Sequence, residues 1–236
     1  MPKSENTSPI FDLFWEDTNL NEKNIIKFVS DFDNQKDVHN KIKYCSIDLK
    51  LTLPKDKLFK VMAKRHSDRD YNNYQMRIRE LSSLFSCFAE VDYHRLLPSA
   101  GGKYPIEVYA MCFNVEGKLN HKVVYYNYWD NSLSIIAECD DWSKVEKSTS
   151  LLLEGAPSIL FLFVAFPDRV VAKYGERGGR FLLVESGHYL QNLSLRVAYE
   201  NLKGVEVGGL LDNEIKEYLK LGGTNAIITM GFACGK

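Results

Sequence analysis

The chain has 236 residues, with 30 Lys plus Arg against 31 Asp plus Glu. That length supports one sizeable core, or less readily two small ones, and 45% hydrophobic with 26% charged residues is an ordinary globular balance. A net charge near zero gives no electrostatic ground for nucleic acid or an anionic membrane as partner, and it leaves little self-repulsion against homo-association.

In chain order, residues 1–53 carry the weakest pattern. Asn24 to Phe32 has the spacing of a short amphipathic helix, and Tyr44 to Leu53 reads as extended, with apolar residues at 47, 49, 51 and 53. Leu53-Pro54 opens a predicted helix through Met62, with Pro54 in its first turn. Arg77 to Phe88 is a second helix, its apolar face formed by Ile78, Leu81, Leu84, Phe85 and Phe88. Three strands follow: Ile106 to Val115, Val123 to Tyr128 and Leu133 to Ala137. Their short connections predict an antiparallel meander. Asp141 to Leu153 reads as helical. Ile159 to Phe166 is continuously apolar, as a strand covered on both faces would be. Arg180 to Leu202 is the longest predicted helix, Asn213 to Leu219 a short one and Ala226 to Phe232 the last strand. Clustered strands among long helices imply an antiparallel sheet with helical layers, not a doubly wound parallel sheet.

Five cysteines, at 45, 87, 112, 139 and 234, form no CxxC pair. An odd, unpaired set predicts a reducing, cytoplasmic setting with buried thiols. The opening MPKSENTSPIFD has no apolar signal core, and Ile159 to Phe166 is too short to span a bilayer.

Four segments carry candidate chemistry. Arg65-His66-Ser67-Asp68-Arg69 puts two guanidinium forks and a hydroxyl at a helix exit, a set suited to a phosphate; the alternative is a solvated loop. Pro98-Ser99-Ala100-Gly101-Gly102-Lys103-Tyr104-Pro105 has paired glycines that let backbone approach a ligand, or simply make a tight loop before a strand. No GxGxxG or GxxxxGK pattern occurs. Lys173-Tyr174-Gly175-Glu176-Arg177-Gly178-Gly179-Arg180 offers proton-moving groups ahead of the long helix, or a polar joint between helices. On that helix Glu185, His188 and Asn192 share one side, with Gln191 beside them. One carboxylate and one histidine without the second histidine of an HExxH pattern give no metal site, so a bound polar ligand or an internal polar network remain.

Taken together these segments resemble the nitroreductase-like flavoprotein superfamily, and within it the SagB/ThcOx group of FMN-dependent peptide dehydrogenases. The resemblance rests on RHSDRDY at 65–71, RLLPSAGGKYPIEVY at 95–109, KYGERGGR at 173–180, ESGHYLQNLSL at 185–195, VGGLLD at 207–212 and IITMG at 227–231, in the expected order. It implies an α+β fold, a central mostly antiparallel sheet packed with helices. It divides the chain into an N-terminal segment, 1–53, available for dimer or substrate contacts, and an FMN-binding domain, 54–236. It implies FMN held by Arg65, His66, Ser67 and Arg69, with Pro98, Ser99, Ala100 and Gly101 facing the isoalloxazine. Gln191 and Asn192 would frame the cofactor, and Gly208 and Gly209 would lie over the ring system. Lys173 and Tyr174 match the pair associated with azoline oxidation. The implied reaction takes a thiazoline or oxazoline of a ribosomally made peptide to the azole, with hydride passing to flavin N5, a base taking the proton and oxygen reoxidising the flavin. The implied partners are a second copy of the chain, a peptide substrate and a cyclodehydratase. The alternatives are an NAD(P)H-dependent reductase of nitro or quinone compounds, another FMN-dependent oxidation of a small or carrier-bound molecule, and a scaffold subunit.

Overall fold

The computed structural model describes residues 9–26, 49–150 and 153–236. Cys45, most of the expected helix at 24–32 and the first half of the extended run at 44–53 lie outside them.

One six-stranded antiparallel sheet organises the fold. Its strands are β3 (Ile106–Cys112), β4 (Lys122–Asn127), β5 (Ser132–Glu138), β6 (Ile159–Ala165), β7 (Lys203–Val207) and β8 (Ile227–Gly235), in the order β5-β4-β3-β6-β8-β7. A two-stranded hairpin, β1 (Glu90–Val91) and β2 (His94–Arg95), stands apart. The helices are α1 (Pro9–Thr18), α2 (Lys57–Lys64), α3 (Ile78–Phe85), α4 (Trp142–Val145), α5 (Asp168–Tyr174), α6 (Arg177–Tyr199) and α7 (Asp212–Tyr218).

The layering follows from strand alternation. Every residue of β3 and β6 is buried, so neither strand shows a polar face. Ile106, Val108, Phe161 and Phe163 pack with Leu84, Phe88, Tyr189 and Leu193 of the α3–α6 side. Tyr109, Met111, Leu160 and Leu162 pack with Trp142, Val145, Ile215 and Leu219 of the α4–α7 side. The fold is therefore α+β, with helices on both faces of an antiparallel sheet. No helix among the described residues is long and apolar enough to cross a membrane.

Several local expectations are corrected. The helix placed at 54–62 begins at Lys57, because the Asp56 side chain accepts the Phe59 N–H at 2.8 Å and caps it there. Residues 49–53 join no strand, and Leu49, Leu51 and Leu53 are exposed. The helix expected over 141–153 ends early: after α4 and a short 3-10 turn, Thr149 bridges to Leu210 and the Ser150 N–H donates to Gly209 O at 2.8 Å. The joint at 173–180 is mostly helix, broken by a turn at Gly175 and Glu176 between α5 and α6.

One glycine is fixed by close approach. The Tyr71 N–H donates to Glu154 O at 2.7 Å, and at Gly155, with φ of +80°, a Cβ would lie 2.0 Å from Tyr71 O. Gly155→Ala should therefore combine left-handed strain with a clash against backbone, destabilising the protein by at least about 2 kcal/mol. Thermal denaturation should show a Tm lowered by roughly 4 °C or more; an unchanged Tm would mean that this crossing is loose.

Candidate active site

Two groups of the predicted site residues rest on different parts of the fold. The first follows α2. The Arg65 N–H closes that helix on Val61 O at 3.2 Å. His66 Nδ1 lies 2.8 Å from Lys64 O, and its Nε2 lies 3.0 Å from Asp68. The Asp68 N–H donates to Gly204 O of β7 at 3.0 Å, which lays the segment along the sheet edge. Arg65, Ser67 and Arg69 are exposed, and no ion pair or side-chain hydrogen bond among the described residues engages them. His66 instead spends its ring nitrogens on this local turn. Gln191 is exposed and Asn192 half-buried on α6, and no hydrogen bond among the described residues engages either amide. Gly208 is exposed just beyond β7, whereas Gly209 is buried and its carbonyl accepts from Ser150.

The second group centres on the turn after Pro98. Ser99 Oγ accepts the Tyr104 N–H at 2.8 Å, and Gly101 and Gly102 both have positive φ. The turn is bolted to α5 by Arg169, whose Nη1 donates to Tyr104 O at 2.9 Å and also pairs with buried Glu107. One turn further along α5, Lys173 and Tyr174 reach the same place. A Cβ added to Gly101 would lie 2.5 Å from Tyr174 Oη and 2.6 Å from Lys173 Nζ. Glycine is favoured there by its φ of +61°, and a side chain would also displace the ends of these two groups. The Lys173 ammonium also lies 5.2 Å from the Tyr174 ring centroid, and Phe181 of α6 meets that ring edge-on.

Beneath the turn lies a buried polar cluster. Arg95, 7% exposed, donates through Nη2 to Tyr189 Oη at 3.1 Å, and its guanidinium lies over the rings of Tyr104 and Tyr128. Glu185 is 2% exposed. Burial pushes its carboxyl up from the ordinary 4.5 to about 7, although the Ser99 hydroxyl and the Arg95 guanidinium favour the ionised form. Neither carboxylate oxygen has a hydrogen-bond partner of normal geometry.

The sign of that shift gives a pH dependence. A carboxyl raised in the folded state stabilises most fully below pH 4.5, and the contribution is lost as pH rises through about 7. The difference corresponds to about 3 kcal/mol. Glu185→Gln should therefore match the wild type near pH 4.5 and exceed its Tm by several degrees at pH 8. Parallel Tm curves for the two proteins would show that the Glu185 carboxyl is not raised by folding.

Sequence reasoning found the two glycine-flanked motifs and Glu185 but passed over Arg95 and Arg169. Arg95 stood inside a quoted motif, and a buried arginine needs partners; Arg169 had no local signal. No hydrogen bond, ion pair or ring contact among the described residues joins Arg65–Arg69 to the Ser99–Gly102 turn. Nor do any of the predicted site residues line either of two concavities, of about 550 and 620 Å³. The site surfaces of one chain are open.

The profile of the nitroreductase family matches residues 62–236. The chain belongs to that family. A nitroreductase-type protein of Methanocaldococcus jannaschii is 33% identical over 171 residues, spanning 70% of this chain and 85% of that one. Among solved structures, a chain of the E. coli microcin synthetase McbBCD complex with truncated pro-MccB17 bound is similar, with a TM-score of 0.68 at 19% identity; 98% of this chain and 87% of that one are covered. A nitroreductase-type protein of Ralstonia eutropha JMP134 gives 0.64 at 20% identity, over 81% of this chain and 86% of that one. At these identities the structural likeness shows the shared fold. The chain is accordingly an oxidoreductase of the nitroreductase family.

Proposed function

We propose that the protein is an FMN-dependent reductase that takes hydride from NAD(P)H and passes it, with a proton, to a nitro, quinone or other small electron-poor acceptor. The observation that carries the cofactor reading is a set of polar groups with no side-chain hydrogen bond or ion pair among the described residues: exposed Arg65, Ser67, Arg69 and Gln191, and half-buried Asn192. A phosphate suits the two guanidinium forks and the hydroxyl. The amides of Gln191 and Asn192 suit the heteroatoms of a flavin ring. His66, tied into its own turn, shapes the segment and is a weaker candidate for direct contact. FMN, when bound, supplies a reversible two-electron carrier. The chain's part is to hold the phosphate, to present the Pro98–Gly101 backbone to a flat ring, to leave open backbone at Gly208, and to keep Lys173 and Tyr174 where a proton is needed.

The two open groups of residues favour a homodimer in which one subunit's Arg65–Arg69 segment and the partner's Ser99–Gly102 turn complete a shared site. Light scattering of the loaded protein should give about twice 27.1 kDa, and a monomer that retains FMN would refute the dimer.

A second reading is favoured by the convergence of Lys173 and Tyr174 on Gly101. It is the oxidation of an azoline in a peptide to the azole, in cooperation with a cyclodehydratase. The fold shared with a chain of a complex that holds truncated pro-MccB17 is compatible with a peptide partner. The deciting chemistry is simple to assay. Consumption of NADPH with a nitroarene or quinone supports the reductase. Loss of two mass units from an azoline peptide under oxygen, without NADPH turnover, would overturn it in favour of the dehydrogenase.

A further inference from the structure

The loop from Arg95 to Ile106 is pinned to α6 by one buried couple. The Arg95 guanidinium donates to Tyr189 Oη, which in turn donates to Ile106 O at 3.2 Å. Glu185 precedes Tyr189 by four residues and so lies on the same helix face. Its two oxygens, and Nε and Nη1 of Arg95, are buried without hydrogen-bond partners. A buried carboxylate and guanidinium that do not meet are costly when both are ionised. A single proton on Glu185 relieves that cost.

Ser99 lies in the pinned loop. Its Oγ accepts from the Tyr104 N–H, so its own O–H remains free to turn toward or away from Glu185. Two residues further on, Gly101 touches the ends of Lys173 and Tyr174. Glu185 and the Lys173–Tyr174 pair therefore approach one short turn from two sides.

We propose that Glu185 is a positioning residue whose protonation sets the direction of the Ser99 hydroxyl and, through the Ser99–Gly102 turn, the placement of Lys173 and Tyr174. Its consequence for turnover rests on the reading of that turn as flavin-facing; the coupling itself belongs to the chain. The groups around Glu185 are Ser99 of the turn, Arg95 from β2 and Tyr189 from α6, with Glu107 of β3 and Tyr104 just before it also acting on Tyr189. His188, three residues along α6, has its Nδ1 buried without a partner. Burial outweighs Arg95 and Ser99 at Glu185, which places its titration at about pH 7.

The test follows the backbone amide NMR signals of Gly101 and Gly102 from about pH 5 to 9, without FMN and again with FMN added. In the wild type both amides should shift with one midpoint near 7. In Glu185→Gln they should stay at their low-pH positions, and in Ser99→Ala the shift should vanish. His188→Asn, which removes the neighbouring imidazole, should leave it in place. Amides that do not titrate in the wild type, that still titrate in Glu185→Gln, or that stop titrating in His188→Asn would overturn the proposal. If Glu185→Gln does not fold, a wild-type shift in Ser99→Ala overturns it equally. An intact, Glu185-dependent titration in a protein that retains no FMN would count against the flavin reading and support the couple. In the loaded protein, the rate of the proton-requiring half-reaction should follow the same midpoint and lose it in Glu185→Gln.

Discussion

Replacing Arg65 and Arg69 together by alanine should weaken FMN binding by roughly 10²-fold or more, because each guanidinium is expected to make a charge-assisted contact to the phosphate. Both side chains are exposed and make no ion pair among the described residues, so their removal leaves no buried charge stranded and should leave the fold intact. This is what separates a ligand role from a structural one. Fluorescence titration of the apoprotein with FMN measures the affinity, and thermal denaturation without FMN controls for folding. Equal affinities in the double variant and the wild type would remove the segment from the site. The contact is also charge-driven, so raising the salt should weaken FMN binding to the wild type more than to the double variant.

The second large effect concerns Lys173 and Tyr174. NADPH gives up a hydride without losing a proton, so that half-reaction needs no base. Reduction of a quinone or nitro group needs a proton delivered, and oxidation of an azoline needs one removed. A side chain that moves this proton contributes typically 10²–10⁴-fold in rate. Lys173→Ala combined with Tyr174→Phe should therefore leave the NADPH half-reaction within about threefold of wild type and slow the proton-requiring half by roughly 10²–10⁴-fold. Stopped-flow measurement of the two halves reads these separately. Equal slowing of both halves would place the pair in general positioning, and loss of FMN would place it in the cofactor shell.

How far the sequence disclosed all this depended on the range of the interactions. The strands at 106–112, 122–127, 132–138 and 159–165 were legible because burial on one or both faces writes itself into local apolar pattern. The long helix α6 was legible for the same reason, although it starts three residues earlier than expected, at Arg177. The hairpin β1–β2 was missed because two-residue strands have no period to detect. Strand β7 was missed because KGVEV carries a glycine, placed at 204 against the Phe232 ring. Helix α1 was missed although Phe11 and Trp15, four residues apart, form its inward side. The overlong helix at 141–153 failed where Thr149 and Ser150 found partners near residue 210, a contact no local window contains.

The candidate site divides in the same way. Its motifs could be named from the chain because glycine pairs, a clustered Arg65 and Arg69, and polar residues on an apolar helix are local signals. Arg95 on Tyr189 and Arg169 on Glu107 join residues far apart in sequence, so only the fold brings them together. Glu185 was visible as a polar residue on the long helix, but its depth and its lack of a hydrogen-bond partner were not.

The central claim is that this chain holds FMN at the groups assigned to it. The most direct measurement is the flavin content of the protein after loading with FMN and exhaustive dialysis. About one FMN per 27.1 kDa chain, falling sharply in the Arg65→Ala, Arg69→Ala double variant, is the predicted result. A colourless wild-type protein after dialysis, or full flavin retention in the double variant, would contradict it.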